Sequence, residues 1–221
     1  MSFSRAGAVA RSAIQRTFLV PVVRAWCTPY CCTGSEPLLA LGGPVVFVAN
    51  HASHLDTPAI LAALPRRVRC RTGVAAAADY FYRDPVLGMA VTLGIGAFPF
   101  PRHGSLGLER AAARLAAGWN VLLFPEGTRS ADGQLHTFRD GIGHLLLATD
   151  APVVPVAVSG SYALWPRGQR LPRRGPLEVR FGTPWRAAHD LTPRQISTEL
   201  AERVAALATT TQYGDCQACP R

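Results

Sequence analysis

Short apolar runs that end abruptly in polar turns recur along the chain. The run at 45–49 is rich in β-branched residues, which predicts a buried strand followed by a polar loop. Comparable runs predict strands at 120–124, 153–158 and 177–181, and a shorter run predicts a first strand at 38–41. The chain is therefore expected to be built around a sheet.

Helices are predicted between these strands. Asp56 or Thr57 can cap a helix that continues to residue 64, since Pro58 suits a first helical turn. Further helices are predicted from Ser105 to Gly118, around 141–149, and from Pro193 onwards. A strand, a helix and another strand in succession imply a right-handed crossover and parallel pairing. The predicted fold is α/β, a single-domain, mostly parallel sheet flanked by helices.

Two segments have unusual charge patterns. No charged residue lies between Asp84 and Arg102, but these 17 residues include several Gly and Pro residues. A buried helix that turns into a strand is therefore expected there, rather than a membrane span. Four arginines alternate with other residues at 66–71, which predicts an exposed edge strand. That edge either is solvated or faces lipid headgroups.

The overall charge is strongly positive. All 23 basic residues are arginine, and with 14 acidic residues they give a net charge of +9. Such a surplus favours anionic partners, namely phosphorylated substrates or an anionic membrane surface. Nucleic acid is not expected as a partner, because the arginines are scattered and no helix-turn-helix, zinc-finger or RNP-type aromatic pattern accompanies them.

Composition divides the chain into three segments. Residues 1–35 contain arginines and no acid, and a helical projection places apolar residues such as Phe18 opposite arginines such as Arg16. This pattern predicts an amphipathic segment that contacts a membrane, with a mitochondrial targeting segment or a solvated helix as alternatives. Residues 36–208 form the predicted folded domain, and 209–221 form a polar tail.

The six cysteines cluster near both ends of the chain without a secretory signal, which favours reduced thiols. Cys216 and Cys219 could join Cys31 and Cys32 in a zinc site, but the first pair lies in the polar tail. No metal site is predicted.

Two histidines and a carboxylate follow the strand at 45–49. His51 and Asp56 lie in one tight loop, where Asp56 could hold one imidazole nitrogen and leave the other to accept a proton from a hydroxyl group. In the alternative interpretation, His51 only satisfies backbone groups of the loop. A serine hydrolase built on Ser53 is disfavoured because the chain has no G-x-S-x-G sequence.

Four blocks of the chain resemble those of the glycerophospholipid acyltransferases, the 1-acylglycerol-3-phosphate acyltransferase family. Asn50-His51 and Asp56 resemble the N-H-x4-D block, and residues 124–130 resemble the F-P-E-G-T-R-S block. Residues 96–102 resemble the G-x-x-F-x-x-R block, with Pro99 in place of the usual Phe, and residues 153–158 resemble the V-P-V segment. The resemblance covers roughly residues 36–185.

This resemblance implies an acyltransferase with a glycerol-3-phosphate acyltransferase-like fold, in which His51 and Asp56 form the catalytic dyad. It implies that the acceptor is bound by residues of the second and third blocks, Arg102, Glu126, Gly127, Thr128 and Arg129. Arginine suits that task because its planar fork matches phosphate oxygens. For Arg129 an ion pair with Glu126 or another acid is the alternative.

The expected reaction moves a fatty acyl group from acyl-CoA or acyl-carrier protein to the hydroxyl of a lysophosphatidate-like acceptor, without a cofactor. The expected location is the cytoplasmic face of a membrane, with peripheral or monotopic attachment. Alternatives are another lysolipid, an aminolipid or a glycolipid as acceptor, or a catalytically silent lipid-binding protein.

Overall fold

The computed structural model describes residues 5–209, with side chains from residue 7 onwards. In this part of the chain seven strands form one sheet, in the order β1-β7-β6-β2-β5-β3-β4. The strands are β1 (Cys27–Thr33), β2 (Val46–Ala49), β3 (Thr72–Ala77), β4 (Ala97–Phe100), β5 (Asn120–Leu123), β6 (Val153–Ser159) and β7 (Gly175–Phe181).

Helices connect the strands and cover the sheet. They are α1 (Arg5–Ile14), α2 (Val20–Trp26), α3 (Asp56–Ala63), α4 (Arg66–Arg69), α5 (Ala78–Phe81), α6 (Pro85–Ile95), α7 (Leu106–Ala116), α8 (Gly141–Thr149), α9 (Ser161–Leu164) and α10 (Pro193–Thr209). A π-helical turn, Gln15–Leu19, joins α1 to α2. Glu36–Ala40 forms a 3-10 helix.

The central strands β6, β2, β5, β3 and β4 are parallel. Strand β7 runs antiparallel to β6, and β1 runs parallel to β7. Alternate side chains of β2 face opposite layers: Phe47 packs in the core with α3, and Val48 packs in the core with α7, α8 and α10. The predicted α/β fold with a mostly parallel sheet flanked by helices is confirmed.

Two strand predictions are wrong. The expected strand at 38–41 is part of the 3-10 helix, which Pro37 initiates. The arginine-rich segment 66–71 is not an edge strand, because α4 begins there immediately after Pro65. Arg69 is buried and donates hydrogen bonds to the carbonyl oxygens of Leu61 and Leu64, so it is not one of the exposed arginines of this segment.

The N-terminal segment is integrated into the fold. Strand β1 pairs with β7, so the sheet begins before residue 36. Arg11 in α1 is almost fully buried and donates to the carbonyl oxygen of Cys70, and its guanidinium lies 5.3 Å from the ring centroid of Trp119. Gln15 is also buried and donates to the carbonyl of Gly94.

Apolar residues of this segment remain exposed. Their exposed fractions are 70% at Val9, 68% at Phe18 and 56% at Val22. Neighbouring α6, which contacts α1, exposes further apolar side chains, Val86, Leu87, Met89 and Leu93, so the predicted helix is present but is not buried as expected. We call these seven residues the apolar face. Between residues 5 and 209, no helix is both long enough and apolar enough to span a bilayer.

The cysteines differ in state. Cys31 is disulfide-bonded, so the prediction of reduced thiols is wrong at that residue. Cys27 and Cys70 are free. Cys216, Cys219 and the polar tail from residue 210 onwards lie outside the described residues.

Candidate active site

Loops after β2, β3, β4 and β5 meet at one edge of the sheet, because parallel neighbours end on the same side. The loop after β2 carries His51, and α3 begins at Asp56. His51 Nδ1 lies 2.8 Å from Asp56 Oδ2. The structure therefore brings the two residues of the predicted dyad into hydrogen-bond contact.

Asp56 is fully buried behind His51. Its Oδ2 also accepts hydrogen bonds from the backbone N–H groups of Ala52, at 2.7 Å, and Ser53, at 2.8 Å. The carboxylate therefore organises the loop that precedes α3 and does not cap the helix in the expected manner. Three donors at one oxygen fix the carboxylate and, through it, the orientation of the imidazole.

Asn50 fixes the start of the same loop to β6. Its Nδ2 donates to the carbonyl oxygen of Val158, at 3.0 Å, and its Oδ1 accepts from the Val158 backbone N–H, at 2.8 Å. The side chain thus bridges the ends of two adjacent parallel strands, and His51 follows directly after it.

Glu126 supports the His51 loop from the β5 side. Its Oε1 accepts from the His51 backbone N–H, at 2.7 Å, and its Oε2 accepts from the backbone N–H of His136, at 3.2 Å. Burial raises the pKa of this carboxyl, and the two backbone hydrogen bonds oppose the rise. Glu126 is 6% exposed and does not line the cleft, so the structure does not bring it to a substrate as the resemblance implied.

The rest of the β5 loop does face the cleft. Gly127, with φ +75°, turns the chain so that Thr128 is exposed and Arg129 is half-buried in the cleft wall. Partial burial lowers the pKa of Arg129, with the nearby Arg167 acting in the same direction.

Arg102 follows β4 and lines the same cleft. Its Nε lies 3.4 Å from Asp79 Oδ1, and both side chains are partly exposed. Asp79 belongs to α5, directly after β3. Neither β3 nor α5 was predicted, because the alanine-rich residues 74–78 have a weak strand signal.

The cleft has a volume of about 750 Å³. Its lining includes five arginines and one acid, here called the cationic wall: Arg83, Arg102, Arg129, Arg139, Arg167 and Asp79. It also includes six apolar side chains, here called the apolar wall: Val74, Ala76, Ile95, Phe100, Leu108 and Ile142. The imidazole of His51 lies in this lining, stacked on Phe124 with 4.1 Å between ring centroids. The cleft thus combines a held imidazole, a cationic wall and an apolar wall.

His54 lies in the cleft beside three aromatic rings. Its ring centroid is 5.4 Å from Trp165, 6.1 Å from Tyr80 and 6.3 Å from Phe81. Burial, together with the positive charges of Arg129 and His51, lowers the pKa of His54 to about 4. Its imidazole is therefore neutral near pH 7.

Ser53 is not positioned as a nucleophile. Its hydroxyl is fully buried, donates to the carbonyl oxygen of Trp165 at 2.9 Å, and accepts from the Leu55 backbone N–H at 3.1 Å. These contacts speak against the serine hydrolase alternative. Within residues 5–209, no three His, Cys, Asp or Glu side chains cluster as metal ligands.

Comparison with known proteins finds a matching family model and several related sequences. Residues 30–159 match the sequence model of the family described as Acyltransferase. The chloroplast 1-acyl-sn-glycerol-3-phosphate acyltransferase BAT2 of Brassica napus is 33% identical over 140 residues, which cover 61% of this chain and 38% of that protein. Human 1-acyl-sn-glycerol-3-phosphate acyltransferase alpha is 31% identical over 165 residues, covering 73% of this chain and 56% of the human protein.

A solved structure shares the fold. The crystal structure of the 1-acyl-sn-glycerophosphate acyltransferase PlsC from Thermotoga maritima aligns with a TM-score of 0.74, covering 91% of this chain and 79% of that chain. At 22% sequence identity the likeness concerns the architecture. The sequence relatives are longer, and this chain spans 38% and 56% of the two described above.

Proposed function

Because this chain belongs to the acyltransferase family, we propose that it transfers a fatty acyl group from a thioester donor to the hydroxyl of a lysophosphatidate-like acceptor. One observation carries the proposal. The His51–Asp56 pair opens into a cleft that has both an arginine-rich wall and an apolar wall. A phosphorylated lipid needs both.

His51 acts as the general base in this proposal. Asp56 accepts a hydrogen bond from the protonated Nδ1, which leaves Nε2 free to accept the substrate hydroxyl proton. The hydroxyl oxygen attacks the thioester carbonyl carbon as His51 removes its proton. The tetrahedral intermediate then collapses to the ester and expels the thiolate, which takes the proton from the imidazolium. Asp56 stabilises that imidazolium. The reaction needs no cofactor.

Arg102 and Arg129 bind the acceptor phosphate and orient its hydroxyl toward His51. They project from the loops after β4 and β5, on the same edge of the sheet as the imidazole. A guanidinium can bind two phosphate oxygens at once, which fixes orientation as well as position. Thr128 lies exposed at the same wall, whereas Glu126 acts from behind by holding the His51 backbone.

The apolar wall holds acyl carbons, and the apolar face attaches the protein to a membrane. The apolar face carries exposed side chains on α1, the π-helical turn, α2 and α6, as expected for peripheral attachment to one leaflet. Anionic headgroups complement the positive net charge. Attachment to the cytoplasmic face, with acyl-CoA or acyl-carrier protein as donor, forms part of this proposal.

A transfer assay tests the proposed reaction. Purified protein on anionic vesicles is given labelled acyl-CoA or acyl-carrier protein, together with lysophosphatidate, lysophosphatidylcholine or monoacylglycerol, and products are identified by mass. We expect lysophosphatidate to be acylated best. Transfer to none of the acceptors from either donor would contradict the proposal and favour a lipid-binding protein.

Variants of Arg129 test acceptor recognition in the same assay. Arg129→Ala should raise the KM for lysophosphatidate and leave the KM for the donor nearly unchanged. Arg129→Lys should restore activity only in part, because an ammonium group keeps the charge without the fork. Equal losses with lysophosphatidate and monoacylglycerol would assign Arg129 to loop structure or donor binding.

A further inference from the structure

Arg139 lies in the cleft wall between the two loops that carry Arg102 and Arg129. Its main chain is fixed on two sides. The backbone N–H donates to the carbonyl oxygen of Pro125 at 3.0 Å, and the backbone carbonyl accepts from the Ser197 hydroxyl at 3.3 Å. No role was predicted for this residue, which lies two positions before Gly141, the first residue of α8.

The guanidinium of Arg139 occupies the space beside Gly127. A Cβ atom added to Gly127 would lie 2.6 Å from Arg139 Nε and 2.8 Å from its Cζ, closer than van der Waals contact permits. Glycine suits position 127 because of its positive φ, and a side chain there would displace the Arg139 guanidinium. The β5 loop and Arg139 are therefore packed against each other.

The same guanidinium reaches the β4 loop. Arg139 Nη1 donates a long hydrogen bond, 3.5 Å, to the main-chain carbonyl oxygen of Arg102. In the part of the chain that the structure describes, no carboxylate forms an ion pair with Arg139. A cation that spans both loops and lacks a carboxylate partner there is suited to an anion in the cleft.

We propose that Arg139 is a positioning residue, which sets the spacing of Arg102 and Arg129 around a single phosphate group. This inference rests on the proposed function, since it assumes that those two arginines bind phosphate. The phosphate can belong to the lysophosphatidate acceptor or to the CoA part of the donor. Both sources present the same oxygens to a guanidinium fork.

Binding measurements test the proposal without requiring turnover. Lysophosphatidate, monoacylglycerol and free CoA are titrated separately by calorimetry into full-length His51→Ala protein and into its Arg139→Ala and Arg139→Lys derivatives. Arg194→Ala serves as a matched control, because Arg194 is an exposed arginine of α10 that does not line the cleft. Melting curves identify any variant that fails to fold.

We expect Arg139→Ala to weaken lysophosphatidate binding about tenfold or more, as expected when a charged hydrogen-bond site loses its alignment. Binding of monoacylglycerol should be unchanged. Arg139→Lys should recover less than half of the loss in log Kd. An ammonium group keeps the charge but cannot contact both Gly127 and the Arg102 carbonyl oxygen. Wild-type-like lysophosphatidate and CoA affinity in Arg139→Lys would overturn the positioning role, even if Arg139→Ala cannot be folded.

A double variant tests whether Arg139 acts through Arg102. If it does, Arg102→Ala and Arg139→Ala together should cost less than the sum of the two single losses, whereas fully additive losses would overturn this inference. Loss of CoA affinity alone would assign the phosphate to the donor. Phosphate-dependent binding without transfer by the wild type would support the inference while contradicting the proposed function. Absence of phosphate-dependent binding would overturn the inference, whatever the transfer assay shows.

Discussion

His51 is held at three points, by Asp56 at its ring, by Glu126 at its backbone N–H and by Ser130 at its carbonyl oxygen. Because the ring itself contributes only one of these contacts, His51→Ala should leave the loop in place. We expect turnover to fall about 10²–10⁴-fold, the usual contribution of a positioned base. Steady-state assays with melting curves check this. His144→Ala, an exposed histidine on α8, serves as the control.

Asp56→Asn separates orientation from chemistry. The amide oxygen can take the place of Oδ2 and accept the same three hydrogen bonds, but a neutral amide cannot stabilise the imidazolium. This variant should lose activity and about 1–3 kcal/mol of stability, because its NH₂ group takes the buried position of Oδ1, which has no hydrogen-bond partner among the described residues. Near-wild-type turnover in His51→Ala would refute the dyad mechanism.

His54 predicts a pH dependence of stability. Its pKa is about 4 in the folded protein, against an ordinary value of 6.5. Between these values the unfolded chain binds more protons, so the free energy of unfolding should fall as the pH drops from 6.5 to 4. The contribution is on the order of 2–3 kcal/mol, fully present above pH 6.5.

Denaturant titrations at pH 7 and pH 4.5 measure this dependence in the wild type and in His54→Gln. Other groups also titrate in this range, including the buried Glu126, whose pKa is raised. The prediction therefore concerns the difference between the two proteins. Identical pH dependence in both would show that His54 titrates normally.

At the scale of elements, the helix formed by α1, the π-helical turn and α2 is inverted relative to an ordinary surface helix. It buries Arg11 and Gln15 against the domain and exposes Val9, Phe18 and Val22. Deleting it would also remove these buried contacts, so point substitutions give a cleaner test of membrane attachment than truncation.

Phe18→Ser combined with Val22→Ser should weaken binding to anionic vesicles by about 2 kcal/mol, or roughly thirtyfold, since each loses apolar surface available to the bilayer. Vesicle sedimentation measures the effect. Leu39→Ser removes an equally exposed apolar side chain outside the apolar face and should change little. Equal binding by all three proteins would assign attachment to another surface.

Sequence patterns predicted the elements that carry long apolar runs, namely β2, β5, β6 and β7, and the helix α10 with its apolar stripe. They missed β1, which contains Pro29 and two adjacent cysteines, and β3, which is mostly Gly and Ala. These strands form because neighbours are available in the sheet, and such pairing overrides weak local preference. The alternating arginines at 66–71 led to a wrong strand prediction, because so short a window fits both the strand period and the helix period.

The same limit applies to the site. His51 and Asp56 are close in sequence, so their contact was predictable from one loop. Arg139 and Asp79 reach the cleft from segments that only the strand order brings together. Glu126 does not line the cleft, because two backbone N–H donors hold its carboxylate inward, and these contacts depend on the tertiary fold.

The whole molecule combines a net charge of +9 with an exposed apolar face. Raising the salt concentration from about 0.05 to 0.5 M should weaken binding to anionic vesicles roughly tenfold, because the charge is screened over a shorter distance. Binding should not vanish, since apolar contact is not screened. Sedimentation across a salt series checks this, and complete release at high salt would mean that attachment is purely electrostatic.

The pairing of β1 with β7 also has a consequence for the order of events during synthesis. Strand β1 emerges from the ribosome roughly 140 residues before its partner, which corresponds to about 10–30 s at ordinary elongation rates. Throughout that interval its backbone hydrogen-bonding groups have no sheet to join. Val9, Phe18 and Val22 of the apolar face precede β1, so under the proposed membrane attachment a nascent chain meets a bilayer before its sheet edge exists. In that case lipid would shield an unpaired strand that is otherwise prone to aggregate.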